Sequence, residues 1–220
     1  MAKVGVVLSG CGVFDGSEIH EAVITLLALD RAGAEIICMA PNAPQLHVVN
    51  HLTGEVAEGE SRNILVESAR IARGAIKDMA TVTAADIDAL VLPGGFGAAK
   101  NLCDFAINGP ECQVNPEVSR LVSEVVAAKK PLAAICIAPA LIARILSQAG
   151  KAPQVTIGTD PGTAEAINAM GAVHINKTVE EFVVDENLNI LTTPAYMLAG
   201  SIKEAADGIE ATIQDLMTRL

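Results

Sequence analysis

Tryptophan is missing from this sequence, tyrosine occurs once and phenylalanine four times in 220 residues. With 51% of residues hydrophobic, the core must therefore be aliphatic and alanine-rich. Basic residues are also scarce. Fifteen Lys and Arg face 26 Asp and Glu, a net charge of −11, which excludes nucleic acid and anionic membranes as natural partners. The one local cationic group, Arg62, Arg73 and Lys77, reads as a solvated helix face. The most apolar stretch, Leu132 to Leu146, is too short to span a bilayer and is interrupted by Pro139 and Arg144. Lys3 leads straight into an apolar strand, so no leader is expected and a cytoplasmic location is. Five cysteines are an odd number and fit reduced thiols. The four histidines show no metal-ligand spacing, and no metal is expected.

What is present is an alternation of short apolar runs with helical patterns. It predicts one α/β domain over 1–220 with a mostly parallel sheet. Strands are expected at Val4–Leu8, Glu35–Ala40, Ala89–Leu92, from Leu132, and at Val155–Ile157, Val173–Ile175, Phe182–Val184 and Ile190–Thr192. Helices are expected from a Ser17 or Asp15 cap to Ala32, over Ser61–Lys77, Pro116–Ala128, Ala138–Gln148 and Pro161–Met170, and from Ala199 to the end. A small hairpin is expected around His47–Val49 and Glu55–Val56, and a surface excursion over Asn101–Asn115.

Pro131 to Pro139 reads Pro-Leu-Ala-Ala-Ile-Cys-Ile-Ala-Pro. Cys136 falls at the bend from strand to helix, with Ala134 and Ala138 two residues to either side. A sharp bend needs small residues there, so this is a nucleophile elbow carrying a thiol. The following helix end would favour the thiolate. Cys38 reads as core, and Cys103 and Cys112 lie in the loop-like excursion.

Two other segments reach the same sheet edge, where open α/β sheets bind ligands. Leu92-Pro93-Gly94-Gly95 ends a strand. Its glycines can turn N–H groups toward a ligand, so Gly94 and Gly95 with the Ile137 N–H form a candidate oxyanion hole. Glu18 and Glu21 open the first helix on one face. A carboxylate there could hydrogen-bond the thiol and exchange protons with a substrate, or simply supply favourable charge at a helix N-terminus; Glu18 reads as the latter, and the residues by themselves leave both readings open for Glu21. The loop Ser9–Gly16 misses the dinucleotide-binding spacing by one residue, and the second strand ends in Ala40-Pro41 rather than an acid. No nicotinamide, and no cofactor at all, is expected.

Leu-Pro-Gly-Gly at 92 to 95, Ala-Ile-Cys at 134 to 136, Glu21-Ala22-Val23 and Arg31-Ala32-Gly33-Ala34-Glu35 resemble the PfpI-type, class I glutamine-amidotransferase-like superfamily over nearly the whole chain. The loop Ser9–Gly12, Glu67–Gly74 and Thr193-Pro194-Ala195-Tyr196-Met197 resemble its isoprenoid-biosynthesis-associated bacterial branch. The resemblance implies a flavodoxin-like three-layer sandwich, a homodimer, a reactive Cys136 assisted by Glu21, and glyoxalase or deglycase activity without a cofactor. The substrate implied is a small dicarbonyl such as glyoxal, converted to glycolate through a hemithioacetal. A non-catalytic redox-sensing or regulatory protein is the alternative. Peptidase-like members carry histidine straight after the cysteine, where this chain has Ile137. Amidotransferase members need a late histidine and glutamate, for which only His174 stands here, and it reaches the site only if its strand folds back over the sheet edge.

Overall fold

The computed structural model describes residues 1–220 as a three-layer α/β sandwich. The strands are β1 Lys3–Val7, β2 Glu35–Ala40, β3 Val49–Asn50, β4 Glu55–Val56, β5 Ile76–Asp78, β6 Ala89–Leu92, β7 Leu132–Ile135, β8 Gln154–Val155, β9 Val173–His174, β10 Val183–Asp185 and β11 Ile190–Thr193. The helices are α1 Ile19–Arg31, α2 Ile64–Ile71, α3 Phe96–Lys100, α4 Phe105–Asn108, α5 Pro116–Ala127, α6 Ala138–Gln148, α7 Pro161–Ala169 and α8 Ile202–Thr218. Seven strands form one sheet in the order β10-β11-β7-β6-β1-β2-β5, parallel except for the antiparallel edge strand β10.

The central strands are apolar on both faces because both are covered. On β6, Leu90 and Leu92 enter one core with Leu121, Val125 and Ile142 of α5 and α6, while Ala89 and Val91 enter the other with Leu29, Ile209 and Ile213 of α1 and α8. Strand β7 divides the same way: Leu132 and Ala134 face the first layer, Ala133 and Ile135 the second. Successive side chains of a strand point to opposite faces, so two helical layers are satisfied by four-residue strands.

Several expectations are corrected. The predicted helix Ser61–Lys77 is two elements. Asn63 caps α2 through its side chain, and the helix stops at Ala72. Arg73 and Gly74 then take φ of +53° and +83°, and β5 pairs with β2 as an edge strand. Arg73 and Lys77 therefore share no helix face with Arg62, which pairs with Glu60 and Glu67. Strands β8 and β9 pair only with each other, outside the main sheet. Neither Ser17 nor Asp15 caps α1. The Ser17 hydroxyl accepts the Ser9 N–H at 2.8 Å, Asp15 accepts the Val49 N–H at 2.7 Å, and the cap is Glu18.

In the order β6-β1-β2 the chain reverses direction across the sheet, and the loops leaving the C-terminal ends of β1 and β6 diverge there. The loops after β7 and β11 arrive beside them, since β7 lies between β6 and β11.

Candidate active site

Cys136 follows β7 directly and has φ of +63°, a left-handed conformation rare for a residue with a side chain. Such strain costs about 1–3 kcal/mol and persists only where the surroundings enforce it. Ala134 and Ala138 are fully buried to either side, and the Cys136 N–H donates to the Thr193 carbonyl at 2.9 Å. The predicted elbow is present, and the thiol is buried, with 7% exposure.

Glu21 is completely buried, one turn into α1. Oε2 accepts the Gly94 N–H at 3.0 Å and Oε1 the Tyr196 N–H at 3.1 Å, so loops after β6 and β11 clamp the carboxyl from two sides. The Cys136 thiol lies beside it, the sulfur and Glu21 Oε2 falling 2.9 Å and 2.6 Å from the point a Gly94 Cβ would occupy, and charge on the carboxyl disfavours charge on the sulfur. Burial pushes the Glu21 carboxyl up to about 8, and the nearby Glu18 adds to the rise, against the opposing pull of the two N–H groups. Burial also pushes the Cys136 thiol well up, followed by repulsion from Glu21, against the N–H groups of Gly95 and Ile137. The expected ionised resting thiol is thus corrected. The helix N-terminus pulls in the predicted direction, and desolvation outweighs it.

The glycines have distinct tasks. A Cβ on Gly94 would lie 2.4 Å from the Cys136 Cβ and 2.6 Å from Glu21 Oε2. Only hydrogen fits where the loop passes over the thiol–carboxyl pair. The Gly94 N–H is taken by Glu21 and is not a free oxyanion donor, a second correction. Gly95 has φ of +96°, and a Cβ there would strike the Glu18 amide at 2.3 Å and the Gly16 carbonyl at 2.5 Å. The loop Ser9–Gly16 therefore serves as a backbone bed for the 94–97 loop. Gly95 and Ile137 remain as N–H donors directed at the sulfur.

Glu18 caps α1 by accepting the Glu21 N–H at 2.7 Å, which agrees with its reading as a helix-terminal charge, and it also lines the cleft. His174 is not at the site. Its Nε2 accepts the Ile157 N–H at 3.2 Å in the small β8–β9 sheet, and it is absent from the cleft. An imidazole does approach from elsewhere: His20 Nδ1 lies 2.8 Å from the Tyr196 hydroxyl, and Tyr196 lines the cleft beside Cys136. Burial raises the Tyr196 phenol, and the carboxylates of Glu18 and Glu21 raise it further, so it stays a neutral donor. Sequence reasoning missed this pair because 176 residues separate its members. The available signal was the chain's single tyrosine, two residues after a proline at a strand end.

The thiol opens on a cleft of about 510 Å³ lined by Val13, Phe96, Phe105, Tyr196 and Met197 among others, with Asp160 and Thr163 from the start of α7. No group of three or more His, Cys, Asp or Glu side chains is arranged to hold a metal.

The DJ-1/PfpI family model matches residues 11–199. The chain belongs to the DJ-1/PfpI family. Among curated relatives of this DJ-1/PfpI chain, a human glutamine amidotransferase-like class 1 domain-containing protein 3, mitochondrial, is 48% identical over 98% of this chain and 82% of its own length. The ES1 protein, mitochondrial, of Danio rerio is 34% identical over 89% of this chain and 77% of its own. A crystal structure of an isoprenoid biosynthesis protein with amidotransferase-like domain from Ehrlichia chaffeensis superposes with a TM-score of 0.93 at 39% identity, covering 100% of this chain and 99% of that one. Glyoxalase III of Candida albicans shares the fold alone, with a TM-score of 0.63 at 15% identity over 100% of this chain and 97% of that one.

Proposed function

We propose that this protein is a cofactor-independent glyoxalase of the ElbB-type, isoprenoid-associated branch of its family, converting glyoxal and similar dicarbonyls to 2-hydroxy acids, here glycolate. The observation that carries this reading is the buried Glu21 carboxyl, fixed by two backbone N–H groups and coupled to the Cys136 thiol at the mouth of a cleft. A thiol and a carboxylic acid that share protons suffice for the reaction. Sulfur adds to one aldehyde carbon, and the thiol proton passes through Glu21 to the new alkoxide, giving a hemithioacetal. The Glu21 carboxylate then takes the C–H proton from that carbon and returns it to the neighbouring carbon, while the hemithioacetal hydroxyl proton passes to the second aldehyde oxygen, giving a hydroxyacyl thioester. Water cleaves the thioester, releasing glycolate and the free thiol. No external electron donor is consumed, since one carbon is oxidised as its neighbour is reduced.

Gly95 and Ile137 supply N–H groups at the sulfur, where they also meet the oxygen of a bound aldehyde. Tyr196, hydrogen-bonded to the half-exposed His20, connects the cleft to solvent for proton exchange. The same addition chemistry would reverse early glycation adducts, which links the reading to deglycase activity. Burial and a raised thiol weigh against the redox-sensor alternative, which needs an exposed, readily ionised sulfur. The test is glycolate release from glyoxal by purified protein. The wild type is expected to turn over and Cys136→Ala to be inactive; equal release by both overturns the mechanism.

The expected homodimer we place on the outer face of α1, where Ile19, Val23 and Leu27 recur every four residues and remain 42%, 48% and 41% exposed. The compartment is proposed to be a reducing one, the cytoplasm or, as the relatives' names suggest, the mitochondrion. No helix is long and apolar enough to cross a membrane.

A further inference from the structure

The chain has five Phe and Tyr side chains in 220 residues, and three of them, Phe96, Phe105 and Tyr196, line the one cleft that holds Cys136. The cores on both sides of the sheet are built from Val, Leu, Ile, Ala, Met and Cys. No ring is fully buried in these cores, although Phe105 and Phe182 pack against them, and three of the five gather where a ligand would lie. They come from separate stretches of chain: Phe96 opens α3, Phe105 opens α4, and Tyr196 follows β11. Phe96 remains 48% exposed. A cleft of about 510 Å³ is also far larger than glyoxal requires.

The charges of the cleft point the same way. Its ionisable lining beyond Cys136 and Tyr196 consists of the carboxyl groups of Glu18 and Asp160, with no Lys, Arg or His. The N-terminus of α7 would otherwise attract an anion, but Asp160 already caps it, accepting the Thr163 N–H at 2.8 Å. Lys100 of α3 is not part of the lining; its ammonium donates to the Phe14 carbonyl at 3.2 Å and lies over the Phe96 ring at 5.0 Å. Away from the N–H groups at the sulfur, a substrate carrying a carboxylate or phosphate meets acidic side chains in the cleft lining, inside a molecule of net charge −11.

We propose that the cleft selects electrophiles with a flat, uncharged, apolar body beside the reacting carbonyl, aryl or branched-alkyl 2-oxoaldehydes, and rejects anionic ones. This rests on the glyoxalase reading for the reaction but not for the recognition, and two arms separate them.

In the first arm, Cys136 is alkylated with iodoacetamide, its N-phenyl amide and its N-(4-carboxyphenyl) amide. Rates are read by peptide mass spectrometry, each divided by the rate with glutathione. The N-phenyl reagent is expected to gain about tenfold over iodoacetamide and the carboxylated one to lose about as much against the N-phenyl reagent. Phe105→Ala should erase the first difference and Asp160→Asn narrow the second. Equal normalised rates, or preference for the carboxylated reagent, overturn the proposal. In the second arm, phenylglyoxal and glyoxal are compared as substrates through release of mandelate and glycolate. The N-phenyl preference without turnover of either dicarbonyl keeps the apolar slot and removes the glyoxalase reading. Turnover of both with equal kcat/KM keeps the reaction and removes the slot.

Discussion

At the scale of the residue, the behaviour of the site depends on a proton budget of two buried groups. Glu21, raised to about 8, and Cys136, raised further by the charge Glu21 would carry, are both predominantly protonated at neutral pH. Abstraction of the C–H proton needs Glu21 ionised, one proton fewer than the resting pair holds, so kcat/KM for glyoxal is expected to climb through about pH 8, and Glu21→Gln to flatten that rise while lowering turnover about 10²–10⁴-fold. A pH–rate profile checks it. The sign for stability follows from the same shift. The folded-state value lies above the unfolded one, so the contribution of neutral Glu21 is complete below pH 4 and is lost as pH rises through about 8. The advantage of wild type over Glu21→Gln in urea unfolding should therefore shrink with a slope approaching about 1.4 kcal/mol per pH unit between those limits. The Gln variant also carries a fixed penalty. Gly94 and Tyr196 both donate, one to each oxygen, so an amide leaves one N–H facing an NH₂ at about 1–3 kcal/mol. Tyr196→Phe is cleaner, because the Glu21 contact uses the backbone and survives; loss of about 10²-fold in kcat with little change in unfolding midpoint is expected if the phenol relays protons.

At the scale of the element, two glycines separate space from conformation. Gly94→Ala puts a methyl group against the Cys136 Cβ and the Glu21 oxygen, so about 1–3 kcal/mol of stability and most of the activity should be lost together. Gly33→Ala meets nothing within 4 Å but must hold φ of +74°, so about 1 kcal/mol should be lost with activity retained. Urea midpoints and glycolate assays distinguish the two. The elements that position the thiol were legible in the sequence. Short runs of three to five residues placed β1, β6, β7 and β11 to within a residue or two, and the small residues around Cys136 marked the bend. Where one periodic pattern concealed two elements, as over 61–77, the reading failed. A left-handed Arg73-Gly74 pair ends α2 there, and the edge strand that follows is only three residues long. The caps of α1 were misassigned for a related reason. Ser17 and Asp15 have capping chemistry, but tertiary partners claim their oxygens.

At the scale of the whole molecule, the scarcity of rings and cations in the sequence becomes a spatial arrangement. Aliphatic layers hold the sheet, and three of the five rings gather at one cleft with carboxyl groups beside them. The pairing of Cys136 with Glu21 could be anticipated from the family resemblance, whereas the Tyr196–His20 contact and the α4 and α7 walls could not, because they depend on how β11 and the 101–115 excursion return to the sheet edge. The exposed α1 stripe makes a prediction at this scale: sedimentation velocity should give a dimer for the wild type and a monomer for Val23→Glu. A monomeric wild type would remove that interface.

The central claim is that the Cys136 thiol and the Glu21 carboxyl form one coupled reactive unit. Its most direct test is the pH dependence of iodoacetamide alkylation, resolved cysteine by cysteine, in wild type and Glu21→Gln. The midpoint for Cys136 should lie above that of an ordinary thiol in the wild type and fall when the carboxyl is neutralised, while Cys11, at the other end of the loop bed, stays unchanged. A Cys136 midpoint indifferent to Glu21→Gln would contradict the coupling and, with it, the mechanism.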